Sequence, residues 1–90
     1  MLFHGREELK ETFAGGTLLH LQREIPDHLV GKPIWSVEEA GQIEVVGVDR
    51  GGRGFIPVKD STFQKGDVAH LILLTDAVEK MDVLLEPLAE

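Results

Sequence analysis

The order of residues predicts an α+β domain, β-α-β-β-β-α, preceded by a short leader helix, and three observations carry this. Apolar and polar residues alternate along residues 17–24 and 42–50. A Gly51-Gly52 pair separates the second of these runs from another β-rich stretch, and a nearly continuous apolar run, residues 68–74, precedes an amphipathic segment. Period-two alternation marks half-buried strands, a glycine pair marks a tight hairpin, and an unbroken apolar run marks a strand buried on both faces.

The elements follow in chain order. Residues 1–16 read as a leader or linker, in which residues 6–13 make about two helical turns with Leu9 and Phe13 on one side, ended by Gly15-Gly16. In residues 17–24, Leu19, Leu21 and Ile25 share one face and His20, Gln22 and Glu24 the other, and Pro26 ends the strand. Ser36-Val37-Glu38-Glu39 matches a capping box, in which Ser36 caps a short helix and Glu39 reaches back; Ala40-Gly41 closes it. In residues 42–50, strict alternation puts Ile43 and Val45 on one face and Val46, Val48 and Arg50 on the other. Gly51-Gly52 supplies the positive φ values of the hairpin, and residues 54–58 return as a strand. Pro57 cannot donate to a ladder, which puts this strand at an edge or ends it. Gln64-Lys65-Gly66-Asp67 is a turn with Gly66 in the left-handed position, and residues 68–74 form a central strand. Asp76 with Glu79 caps a last helix whose apolar stripe is Val78, Met81, Leu84, Leu85 and Leu88, and Pro87 ends its regular part.

Ninety residues make one domain. So short a chain buries roughly 60–65% of the surface its unfolded form exposes, which favours self-association. With 9 basic and 16 acidic side chains the net charge is −7, which argues against duplex DNA or RNA as the main partner. A small anionic ligand remains compatible where arginines act locally. There is no cysteine, hence no disulfide, thiol catalysis or zinc-thiolate site, a usage that fits the cytoplasm. No apolar run approaches the ~18 residues of a membrane span, and no apolar signal region is read near Met1.

Four motifs together resemble a known family. They are Gly31-Lys32-Pro33-Ile34 after the first strand, Val45-Val46-Gly47-Val48-Asp49-Arg50 in the second, Ile56-Pro57 in the third and Gly66-Asp67 before the fourth. In this order they resemble TrkA-C, the C-terminal lobe of the RCK (regulator of conductance of potassium) module, over residues 17–88. The resemblance implies a homodimeric regulatory domain, without enzymatic activity, of a potassium or other cation channel or transporter, at the inner face of the membrane. It implies a small nucleotide ligand, cyclic di-AMP, in a cleft between two copies, with no other cofactor. It places Val45, Val46, Asp49, Arg50, Ile56 and Pro57 at that ligand site. The Rossmann lobe that commonly precedes the family domain is missing: Gly51-Gly52-Arg53-Gly54 is a hairpin tip and not a dinucleotide-binding loop.

Each candidate also has a plainer reading. Arg50 and Arg53 flank a glycine turn, where guanidinium forks suit phosphate oxygens, or they are solubilising charges on a hairpin. Val45, Val46, Ile56 and Pro57 suit stacking on a purine, or core and interface packing; residues at a two-fold axis do both. His70 in the central strand reads best as a core histidine with a partner, and His20 as outward-facing. Histidine and carboxylate spacing gives no metal motif. Enzyme chemistry has little to build on: Ser36 is a cap, Ser61 is in a loop, Asp67 and Asp76 are turn and cap residues, Glu38-Glu39 is a solvated first turn, and tyrosine and cysteine are absent. The alternative to a ligand sensor is a ligand-free dimerisation or docking module whose last helix and leader carry the contacts.

Overall fold

The computed structural model describes residues 9–85. Its strands are β1 (Leu9–Phe13), β2 (Leu18–Glu24), β3 (Ile43–Arg50), β4 (Arg53–Phe55) and β5 (Val68–Leu74), followed by helix α1 (Val78–Leu85). They form one five-stranded sheet in the order β1-β2-β5-β3-β4. Every pairing is antiparallel. The domain is therefore α+β, with an antiparallel sheet and a C-terminal helix.

One face of the sheet carries the core. Leu19 and Leu21 of β2, Ile43, Val45 and Val48 of β3, and Ala69, Leu71 and Leu73 of β5 are all buried there. Ile25, Leu29, Ile34, Val37, Phe63, Ala77, Met81 and Leu85 close over them from the connections and α1. Arg23 ties β2 to α1, its Nη2 donating to Asp82 Oδ1 at 2.9 Å. As the apolar run predicts, β5 lies in the middle of the sheet. The opposite face, with Leu18, His20, Val68, His70, Ile72 and Leu74, has no described element packed over it and is only partly buried.

Several local expectations change. Residues 9–13 are not part of a helix: they form the edge strand β1, paired with β2 from Leu9↔Gln22 to Phe13↔Leu18. A spacing of four satisfies a strand as well as a helix, and a β2 edge free to pair decides between them. Ala14–Gly16 is a 3₁₀ turn between β1 and β2; residues 1–8 of the leader, and Pro87 and Leu88 of the last helix, lie outside the described residues. The capping box does not form. Ile34–Val37 is a 3₁₀ turn with Ser36 inside it, led by Pro33 without a side-chain cap. Glu38 instead accepts the Val45 N–H at 2.9 Å. Asp76 likewise makes no cap; it lies within the 3₁₀ turn Thr75–Ala77 that leads into α1.

Strict alternation in β3 also fails. The pairing with β5 slips between Val45 and Gly47, so Val46 is the extra residue of a β-bulge. Beyond it Val48 returns to the core face beside Ile43 and Val45, and Val46 is left outside. The return strand is shorter than expected, ending at Phe55, with Pro57 beyond it; β4 is an edge strand.

The turns behave as their residues require. Gly51 and Gly52 take φ values of 61° and 84° at the hairpin tip, and Gly66 takes 89°. A Cβ at Gly66 would meet no atom within 4 Å, so Gly66→Ala is opposed by backbone strain alone. We expect a loss of about 1 kcal/mol, measurable as a fall of roughly 4–8 °C in the thermal midpoint.

Candidate functional site

The functional residues predicted from sequence divide into two groups. Val45, Val46, Ile56 and Pro57 come together. With Ile34, Trp35, Glu38, Glu44, Val58 and Lys59 they line a groove of about 750 Å³. One side is the 3₁₀ turn, the other is residues 56–59, and the bulge of β3 lies between them. Two backbone ties hold the sides in register. Ile34 N–H donates to Ser61 C=O at 3.0 Å, and Phe63 N–H donates to Lys32 C=O at 3.0 Å. The 56–59 side is closed by a turn in which the Val58 N–H donates to Ser61 Oγ at 2.9 Å.

This groove is apolar and accessible. Trp35 is 59% exposed, Val46 40%, Ile56 78% and Val58 72%. Large apolar side chains left together in water mark a binding surface, because their desolvation is available to whatever covers them. Ile34 and Val45 contribute least, since their side chains are in the core. The lining charges are Glu38, Glu44 and Lys59, an acidic balance.

Arg50 belongs to a different constellation. Its Nε donates to Asp67 Oδ1 and its Nη2 to Asp67 Oδ2, both at 2.9 Å, and Nη2 also reaches Thr62 C=O at 3.0 Å. The guanidinium carbon lies 4.7 Å from the centroid of the Phe55 ring. Asp67 is fully buried and takes the Gln64 N–H on Oδ2 at 2.8 Å as well. This is a bidentate pair of the strong kind, stacked on an aromatic face. It pushes the Arg50 pKa up: hydrogen bonding to Asp67 is the main cause, partial burial opposes it, and the charge of Asp67 adds to it. The fork is used to fasten the end of β3 to the turn before β5. Asp49 does not line the groove; it lies beside Gly47, Gly52, Phe55 and His70 in a smaller depression of about 300 Å³ that shares Ile56 with it. Arg53 is exposed at the hairpin.

His70 is not a core histidine. It lies on the open face of the sheet, its ring stacked on His20 with centroids 5.7 Å apart and planes at 25°. Glu11 Oε1 of β1 stands 3.8 Å from His20 Nδ1. Among the described residues no group of three or more metal-ligating side chains gathers, and no helix is long and apolar enough to cross a membrane.

Sequence reasoning missed Trp35, Glu38, Glu44, Val58 and Lys59. The legible signal was Trp35, the only tryptophan, set between Pro33 and the Ser36-Val37-Glu38-Glu39 run. Asp67 also had a signal: a carboxylate just ahead of a buried strand needs a cationic partner or several N–H donors. The chain matches no protein-family model and none of the curated proteins compared with it.

Proposed function

We propose that the chain is a non-enzymatic regulatory domain of the TrkA-C type, working as a homodimer attached to or associated with a cation channel or transporter at the inner face of the membrane. The observation that supports this best is the apolar groove. It gathers Val45, Val46, Ile56 and Pro57, four of the six residues that the resemblance assigns to a ligand, around an exposed indole. In this reading a small nucleotide, cyclic di-AMP, lays its bases against Trp35 and the Ile56-Pro57 pair, and Lys59 faces its phosphates. Arg50 takes no part, because Asp67 holds its fork. The ligand favours one dimer geometry by as much as its affinities for the two states differ, and no more.

Calorimetry of the chain with cyclic di-AMP tests the proposal. We expect saturable heat at micromolar ligand and a loss of about tenfold or more in affinity, some 1.4 kcal/mol, for Ile56→Glu, whose side chain is exposed and carries no core packing. No heat at high micromolar ligand sinks the nucleotide reading.

The acidic lining favours a second reading. Glu38 and Glu44 outnumber Lys59 in the groove, and a dianion meets repulsion there. A ligand-free docking or dimerisation module is consistent with that balance and with the uncovered sheet face. Dimers by light scattering, with no thermal shift across a nucleotide panel, distinguish it.

A further inference from the structure

We infer that the groove recognises an extended peptide segment of a partner protein in which arginine or lysine alternates with apolar residues. The inference rests on the docking reading just given and names its partner.

Three features of the site lead to it. The first is charge. Glu44 is exposed, and Glu38 is partly buried with one oxygen accepting the Val45 N–H. Lys59 alone opposes them among the lining residues, and the whole chain carries −7. Such a surface steers a basic partner in and repels an acidic one.

The second feature is Trp35. Tryptophan is the best aromatic partner for a cation lying over its face and is enriched among the residues that dominate interface energies. Trp35 and Glu44 line the same groove, which therefore offers basic side chains both an aromatic face and a carboxylate. Val46, Ile56 and Val58 take the neighbouring apolar side chains of the peptide.

The third feature is the shape of the sheet edge. β4 pairs only with Val48, Asp49 and Arg50. Among the described residues no strand lies beside the outer side of β3 from Ile43 to Gly47; Glu39 bridges Ile43 and the Glu38 carboxylate takes Val45 N–H. A partner lying along Val45 and Val46 therefore runs beside a strand. An extended chain suits that position, presenting alternate side chains to the two sides of the groove.

Display of random heptapeptides against the full chain tests this. The expected result is enrichment of sequences that alternate Arg or Lys with apolar residues. Synthetic copies of the enriched peptides should quench or shift the fluorescence of Trp35, and Glu44→Lys should weaken them about tenfold or more, with Trp35→Ala abolishing enrichment. Both substituted side chains are exposed, so unchanged thermal midpoints show that the variants are folded. Acidic or charge-neutral winners, equal binding by Glu44→Lys, or no enrichment at all overturns the inference. Heat with cyclic di-AMP but no enriched peptide leaves the nucleotide reading standing and removes this one; failure of both removes both.

Discussion

Arg50→Ala lowers the stability of the domain by about 3 kcal/mol, since breaking a buried ion pair by removing one partner strands the other charge. For a chain of this size that is a fall of well over ten degrees in the thermal midpoint. Asp67 has no exposure beneath a guanidinium whose side chain is one-third exposed. Loss of the side chain also removes the bond to Thr62 C=O and the stacking on Phe55. Asp67→Ala should cost a similar amount, because it removes the acceptor of the Gln64 N–H as well. The double variant should cost much less than the two losses added together, and a thermal or urea double-mutant cycle measures the difference. The sign of the pH dependence follows from the raised Arg50 pKa. A cation whose folded pKa is raised contributes fully below its unfolded value, so raising the pH to about 11 leaves the guanidinium side of the pair intact. Additive losses in the cycle, or a variant as stable as the parent, would show that the pair is not the fastening described above.

Phe63→Ala has the largest effect expected of a core substitution here, about 3–5 kcal/mol. Phe63 is the largest of the fully buried side chains, 1% exposed. It lies in a connection and not in a strand, held by its own backbone: its N–H donates to Lys32 C=O, and its C=O accepts the Gly31 N–H at 2.8 Å. Stability of small domains is about 5–15 kcal/mol in all, so the variant sits near the threshold of folding. Urea titration followed by Trp35 fluorescence reads it directly. A loss under 1 kcal/mol would mean that the 31–34 and 61–63 segments are held by their backbone bonds alone.

Regular parts of this fold were legible because their signals are local. The alternation of Leu19 and Leu21, the Gly51-Gly52 tip, Gly66 and the run of residues 68–74 each fix a conformation from within a few residues. The misreadings share a non-local cause. Leu9 and Phe13 fit two periods, and only the neighbouring strand chooses. Ser36 and Glu39 satisfy a capping pattern, but Ala40-Gly41 leaves no length for a helix, and Glu38 is drawn to the amide of Val45. Arg50 was assigned to a ligand by the resemblance; the carboxylate that its fork holds, Asp67, is seventeen positions away in sequence. The site was half legible for the same reason. Val45, Val46, Ile56 and Pro57 were assigned by the resemblance, Ile56 and Pro57 lying just past the end of β4, whereas Trp35 and Glu38 reach the groove through a turn whose path depends on the 61–63 connection.

The bulge at Val46 separates the inheritance of the fold from that of the surface. Remove that one residue and β3 reads Ile43, Glu44, Val45, Gly47, Val48, Asp49, Arg50, a perfectly alternating strand with the same core face and with Arg50 still on the side of Val48. The fold therefore does not need Val46, while the groove does. A single in-frame codon gained or lost therefore changes the lining of the groove at one exposed position without asking any buried residue to change.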